Sequence, residues 1–599
     1  MKINLTYYKE DINYNTGKYE SKVIDYINEN KIENYNQIIE NDNVDEAVLA
    51  LSSIRENLVH ACDIKTNSTV LEIGAHLGEL TGALCKKSTK VVTIESNKKR
   101  AEAIAKRYEE VENLEIFVGN PKDIELKEKF DYITLFGVLE YATCFWNTEE
   151  PARDMIEFCK GLLKENGKIL IATNNKFSMK SYVGDTDECT NNAFDSITGY
   201  KNSKKEYKLG KNKIEEILKK CNLNHYKFLY LLPDYKLPNI IFSDEYLPSS
   251  SKINGYFPYY RDCSSIFFSE VDAFDNVIKE NKEMFKFFAN SYLIKVSQNE
   301  FEDDTKFISF NNYRKRKYRL MTKIKSETVE KTCTNNESEE HIKNIAKNIN
   351  DLKNENIYIL DKYEEEKIIS KFENSKLVSQ MISDNLDNKK YIVDLFKKYK
   401  NKILELSSEY QENQNNVFEK YDINVEKEKI NSFRYLKNGY WDLIFKNCFI
   451  INDEFVFFDQ EWMEEYLPVD FLVYRCVVNI EKLRSKIDKY NLFEELGIQE
   501  NIELFKELDD KISKEIFDEK IFALYTKKHE NPIYDNQNLK QDLEHEKNTV
   551  KELEKSIQNL SAEIYEKDAE ISNLQNTLDA IYQSKKWKII SKFGKLLNK

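Results

Sequence analysis

Long apolar runs, paired cysteines and excess positive charge are missing from this chain, and each absence excludes something. There is no run of 18 apolar residues and no signal peptide, so no membrane span is expected. The ten cysteines contain no CxxC pair, and Cys85, Cys159 and Cys476 sit in apolar runs. They are expected as reduced core residues of a cytoplasmic protein, not as a disulfide frame or a zinc site. The net charge of −14 argues against a general nucleic-acid binder, so no nucleic-acid partner is expected. Glycine is scarce between 301 and 530, where only Gly439 and Gly497 occur, so that stretch holds no glycine-rich phosphate loop. Of the eight prolines, four fall between Pro233 and Pro258.

What is present begins at residues 69–97. An apolar run over 70–73, a turn from Gly74 to Gly78, a helix from Glu79 to about Lys87 and a second apolar run over 91–94 ending in Glu95 follow in order. Strand, glycine turn, helix, strand and acid open a doubly wound α/β sheet. The turn lets backbone approach a ligand, and Glu95 can accept both hydroxyls of a ribose. Glu72, ahead of the first glycine, repels pyrophosphate and suits a ligand with a positive amino-acid end. The stretch resembles motif I of the class I methyltransferases, which bind S-adenosylmethionine (SAM); their middle glycine is His76 here.

Further strands are expected at 113–118, 130–136 and 168–173, and helices at 18–28, 35–40 and 45–60. The resemblance implies that residues 1–60 form a helical cover over the cofactor, with Arg55 and Asn57 in reach of it. It implies that Asn120 or Asp123 contacts the adenine, and that Glu140 is a base or a methyl-donor contact. The stretch 233–258 is too rich in proline for a helix and too apolar for disorder, so an ordered lid or acceptor wall is expected there. Its phrase Pro233 to Pro238 resembles one in methyltransferases of bacterial surface-glycan assembly. The methyltransferase is expected over 61–300.

Between 301 and 530 the informative residues are Asp442, Asn447 and Asp459, the last at the end of the apolar run 455–458. The spacing resembles the catalytic loop and metal-binding strand of protein-kinase-like phosphotransferases. The resemblance implies an α+β domain using ATP and Mg²⁺. In it Asp442 orients the acceptor hydroxyl, Asn447 and Asp459 hold the metal, and Lys331 grips the phosphates with Glu339 or Glu340 as its partner. Tyr440 stands where that family usually has histidine.

From 535 to 582 leucine, isoleucine and valine recur on two heptad positions, which predicts a coiled coil and a homo-oligomer, dimer or trimer. The tail 583–599 carries six lysines and no acid, with Trp587, Ile590, Phe593, Leu596 and Leu597 on one helical face. Such a tail suits an anionic membrane surface, placing the protein peripherally at the inner face of the cell membrane. This order of parts resembles the bifunctional methyltransferase–kinases that terminate O-antigen chains. That resemblance implies phosphorylation and methylation of a surface glycan or lipid-linked glycan, beside a glycosyltransferase polymerase. Two rival readings are a methyltransferase with an inert kinase fold, and a scaffold with both sites inactive.

Overall fold

The computed structural model describes residues 3–12, 19–41, 45–201, 207–249, 253, 256, 258–260, 266–410, 416–518 and 533–590. The chain divides into two compact units, 1–530 and 531–599.

The first unit is built on strands β1 (Ile3–Asn4), β2 (Thr69–Ile73), β3 (Lys90–Glu95), β4 (Leu114–Val118), β5 (Phe130–Phe136), β6 (Leu163–Asn174), β7 (His225–Leu232), β8 (Ile240–Ser243) and β9 (Ser291–Ser297). They lie in the order β1-β4-β3-β2-β5-β6-β9-β7-β8. The pairs from β1 to β6 are parallel, and β9, β7 and β8 close the series antiparallel. The central strands are buried on both faces, which is why 70–73 and 91–94 are apolar except for Glu72 and Thr93 instead of alternating. Strand order reverses at β2, with β3 on one side and β5 on the other. A crevice at the carboxyl ends of the strands is expected at such a point.

One expectation needs correction here, and one is extended. The first 60 residues are not purely helical, because Ile3 and Asn4 pair with Ile116 and Phe117 and cover the free edge of β4. The proline-rich stretch, expected as an ordered non-helical wall, also carries a strand, because Ile240–Ser243 pairs antiparallel with β7 on one side and with residues 307–309 on the other.

The sheet does not stop at 300. Strands β10 (Phe307–Phe310), β11 (Leu320–Ile324) and β12 (Thr328–Cys333) continue it from β8, giving fourteen strands in one sheet. After helix Glu339–Asn354 and the short β13 (Tyr358–Ile359), strands β14 (Lys362–Glu364) and β15 (Lys367–Lys371) return beside β12 in the order β10-β11-β12-β15-β14. A separate apolar core then forms around helices Lys389–Leu404, Val469–Val478 and Ile502–Ile516. Against it lie β16 (Ser408–Glu409), β17 (Arg434–Tyr440), β18 (Cys448–Ile451), β19 (Glu454–Phe457) and β20 (Met463–Pro468).

That core packs on two small sheets of its own, β13-β19-β18 and β16-β17-β20, and not on the fourteen-stranded sheet. Asp63 ties the halves together, pairing with Lys295 on β9 at 3.1 Å and also with Lys323 on β11. The second unit is the helix Ile533–Gln583. Its heptad residues face solvent in the single chain, Ile557 and Ile564 each 62% exposed. The tail residues Phe593, Leu596 and Leu597 lie outside the described residues. Among the described residues, no helix is long and apolar enough to cross a membrane.

Candidate functional sites

A cavity of about 330 Å³ opens where strand order reverses. Its floor is Glu72 at the end of β2, Gly74 and Thr134. Gly74 has φ +76°, a conformation that costs a side chain but not glycine. Oε2 of Glu72 accepts the hydroxyls of Thr81 at 2.7 Å and Thr93 at 2.8 Å. Burial nevertheless pushes the Glu72 carboxyl up to about 7. Thr134 Oγ1 is buried and has no hydrogen-bond partner.

His76 fills the middle of the turn at φ +54°. A left-handed histidine costs about 1–2 kcal/mol, and three carboxylates hold it there. Glu95 accepts the His76 backbone N–H at 2.9 Å, Glu79 meets its Nδ1 at 2.7 Å, and Glu20 pairs with its Nε2 at 3.7 Å. Burial works against the charged imidazole, but Glu79 and Glu20 outweigh it and raise the group to about 9. Glu20 also takes two bonds from the fully buried Arg100, at 2.9 and 2.7 Å. The helix Glu20–Glu29 is thereby pinned over the turn, and Glu20 lines the cavity.

Arg55 lines the same cavity, and its Nε and Nη1 are buried without a hydrogen-bond partner. The opposite wall comes from helix Met179–Val183 and the proline-rich stretch. Lys180 donates to Asp234 at 2.8 Å, Lys236 pairs with Glu188, and Tyr235 and Tyr259 complete the wall. Burial opposes ionisation of Asp234, but Lys180 and Lys236 prevail and hold it at about 2. The cavity therefore offers a carboxylate at one end and an unpaired guanidinium at another. That donor set fits a zwitterionic amino-acid moiety such as the methionine end of SAM.

Other sequence-selected residues stand elsewhere. Gly78 does not line the cavity; its φ is +76°, and a Cβ there would come within 3.0 Å of the Tyr108 ring. Glu95 is fully buried, with its oxygens on the backbone N–H groups of His76 and Asn97. Asn120 caps a short turn by accepting from the Lys122 N–H, and Asp123 pairs with Lys9. Asn57 binds Asn312 and the Pro238 carbonyl. Glu140 lies outside the cavity lining; its Oε1 accepts the Asn174 N–H at 2.7 Å, and its Oε2 is buried without a partner. Sequence reasoning missed Glu20 and Lys180, because no spacing rule links either to the turn.

A second cluster assembles in the half after 300. Lys331 on β12 pairs with both Asp459 and Glu461. Glu461 also takes Arg314 and, at 3.3 Å, His341. The expected partners Glu339 and Glu340 are exposed, so that expectation is corrected. The acid beside Lys331 comes from the strand-end segment, and helix Glu339–Asn354 contributes His341 instead. Asp459 has φ +61°, strained for a non-glycine residue, and Asp361 accepts its N–H at 2.6 Å. The Asp442 carbonyl accepts from the side chains of Asn447 at 3.3 Å and Gln460 at 3.0 Å, and its carboxylate accepts the Glu461 N–H. Asp442, Asn447, Asp459 and Lys331 thus belong to one connected network. Burial, reinforced by Asp459, pushes Asp442 up to about 7. Burial also raises Asp459 to about 6 despite Lys331. Among the described residues, no group of three or more His, Cys, Asp or Glu side chains is arranged to hold a metal ion.

Residues 71–169 match a family model described as a methyltransferase domain. A probable ribosomal RNA small subunit methyltransferase A of Methanosarcina acetivorans is 31% identical over 78 residues, 13% of this chain and 29% of that protein. The Methanosarcina barkeri protein of the same name is 35% identical over 89 residues, 15% of this chain and 31% of that protein. The chain therefore matches less than a third of the length of these relatives. Among solved structures, a putative methyltransferase complexed with the Haloferax volcanii Trm112 activator is similar at TM-score 0.26 and 12% identity, over 42% of this chain and 90% of that one. Phosphoethanolamine N-methyltransferase 1 of Haemonchus contortus, solved with phosphoethanolamine and S-adenosylhomocysteine, is similar at TM-score 0.27 and 12% identity, over 48% of this chain and 49% of that one.

Proposed function

We propose that this chain, whose residues 71–169 form a class I SAM-dependent methyltransferase domain, phosphorylates and methylates the end of a bacterial surface polysaccharide and so stops its elongation. The observation that carries methyl transfer is the cavity at the strand reversal, with Gly74 in its turn, Glu72 on its floor and Arg55 unpaired in its wall. SAM supplies an electrophilic methyl group on a sulfonium. The chain's part is to hold that donor and align the acceptor: Glu72 takes the ammonium, Arg55 the carboxylate, and the cover helix excludes water. The paired wall of Lys180, Asp234, Lys236 and Glu188 presents fixed charges to the acceptor.

The phosphotransfer half of the reading is supported by a five-stranded antiparallel segment with a helix after its third strand, and by the network joining Lys331, Asp442, Asn447 and Asp459. Asp442 is the proton acceptor for the attacking hydroxyl, and a value near 7 suits that task at neutral pH. Asn447 and Asp459 would hold Mg²⁺, and Lys331 would meet the ATP phosphates.

The glycan acceptor rests on the resemblance carried by the order of parts and by Pro233 to Pro238. The partners that follow are a glycosyltransferase polymerase, a second or third copy joined through helix Ile533–Gln583, and an anionic membrane met by 583–599. The two Methanosarcina relatives are named as probable ribosomal RNA methyltransferases, but a net charge of −14 disfavours RNA as the acceptor here. Calorimetric titration of the full chain with SAM, and separately with ATP and Mg²⁺, tests the reading. Both ligands should bind. SAM alone would leave a plain methyltransferase, and neither would leave a scaffold.

A further inference from the structure

Four consecutive residues of the second half, Asn311 to Arg314, reach both sites. They follow β10 directly, and the Arg314 N–H closes a tight turn on the Asn311 carbonyl at 3.2 Å. Asn312 is buried; its Oδ1 accepts from Asn57 at 2.7 Å, and its Nδ2 donates to the Pro238 carbonyl at 3.2 Å. Tyr313 packs on a small apolar cluster of Ile54, Leu237 and Tyr259. Arg314 pairs with Glu461 and lies over the Trp462 ring, 5.4 Å from its centroid.

The positions gripped by Asn312 and Tyr313 flank the working residues of the methyl-transfer cavity. Ile54 and Asn57 bracket Arg55, and Leu237 and Pro238 follow Lys236. Leu237 and Lys236 both donate backbone N–H groups to Asp234, which holds Lys180. Tyr259 lines the cavity itself. The cover and the acceptor wall are thus fastened to each other through two side chains of the second half. The next residue of that strap stands in the carboxylate cluster beside Lys331 and Asp459.

We propose that Asn312 and Tyr313 are positioning residues for methyl transfer, and that through Arg314 they link the shape of that cavity to nucleotide occupancy of the second site. The inference rests on the functional reading of both sites. Without nucleotide, Glu461 shares its charge between Lys331 and Arg314, two cations that repel each other. With nucleotide bound, Lys331 would turn to the phosphates and Asp459 would be engaged by Mg²⁺. Glu461 then keeps Arg314 and His341 alone, so Arg314 is held more tightly and the strap with it. A firmer strap preorganises Arg55 against Lys180 and Lys236, and SAM binds more tightly. Linkage is reciprocal, so SAM must strengthen nucleotide binding by the same factor.

The test is calorimetry on the full chain, titrating SAM with and without saturating Mg²⁺ and a non-hydrolysable ATP analogue, and then the analogue with and without SAM. The SAM dissociation constant should fall by roughly fivefold or more with the analogue present, within the usual range of coupling between sites. The second ratio should equal the first. In Tyr313→Ala and in Asn312→Ala each ligand should still bind, and the ratio should fall to one. A merely structural role would weaken SAM binding in these variants without touching the ratio, and that result overturns the inference. Equal SAM affinity with and without bound analogue in the unmodified chain overturns it as well. Failure of the analogue to bind at all is a distinguishable result: it removes the second-site reading, and the inference falls with that premise.

Discussion

Glu72 is the residue whose titration the methyl-transfer site should report. Its carboxyl stands at about 7 because it is buried, even though two threonine hydroxyls stabilise the charge. Only the ionised form attracts an ammonium, so SAM affinity should rise between pH 6 and 8 and level off above. In Glu72→Gln that step should vanish, with affinity about 10- to 150-fold weaker for the loss of one charged hydrogen-bonding group. Calorimetry across the pH range decides it; a wild-type profile flat from 6 to 8 rejects the role. Stability moves the other way. The folded value lies above the ordinary 4.5, so the folded state holds its proton more tightly, and the group costs stability as pH rises from 4.5 through about 7. Glu72→Gln should therefore melt higher than wild type at pH 8, although it binds SAM poorly.

The second site separates stability from activity in a similar way. Lys331 is the shared cation of the buried Glu461 and the half-buried Asp459, and Lys331→Ala leaves the two carboxylates facing each other. Breaking a buried pair on one side costs about 3–5 kcal/mol. Asp442→Asn removes a carboxylate that burial and Asp459 already disfavour, so it should melt no lower than wild type. Both variants should lose phosphotransfer. Thermal melts beside an ATP turnover assay check the pair, and an active Asp442→Asn protein would refute its role as proton acceptor. Sequence spacing selected Asp442, Asn447, Asp459 and Lys331, since all sit at turn or strand positions that local pattern can place. Glu461 and Arg314 were not legible, because their meaning comes from a contact between segments 147 residues apart.

At the scale of elements, the parallel strands were legible because strands buried on both faces leave mostly apolar runs instead of alternating ones, as 70–73, 91–94 and 130–136 do. Ile3–Asn4 was not, since two residues carry no period. The continuation of the sheet from β8 to β10 was hidden too, because edge pairing is backbone chemistry and leaves little trace in side-chain pattern. That junction has a measurable joint. Lys323 is buried, and Asp63 is its partner across the two halves. Asp63→Ala leaves this ammonium without its acid and should destabilise the chain, by less than the about 3–5 kcal/mol of a fully buried pair because the Asp63 carboxylate is half exposed and screened by water. Asp63→Glu, which keeps the charge, should recover part of the loss. Chemical denaturation would read both, and an Asp63→Ala protein as stable as wild type would show that the joint carries no net energy.

For the whole molecule, the helix Ile533–Gln583 decides whether one chain works alone. Its 51 residues span about 76 Å at 1.5 Å each. A lone helix that exposes Leu543, Val550, Ile557, Ile564 and Ile571 on one stripe leaves a large apolar area in water. Burying each such side chain against a partner is worth about 1.5–3 kcal/mol, so the stripe has ample drive to associate even after the entropy of bringing chains together. Isoleucine and valine on one heptad position with leucine on the other favour two parallel strands. Parallel copies would set the tails 583–599 side by side, and two tails on one anionic surface bind far more tightly than one. Ile557→Asp with Ile564→Asp should make the chain monomeric by light scattering. SAM binding should stay unchanged, because no cavity residue comes from this helix. Flotation with anionic vesicles should drop in the same variant at low salt, although every lysine of the tail remains. A monomer that floats as well as wild type would mean the tails act singly, and an oligomer that survives both substitutions would place the association elsewhere in the chain.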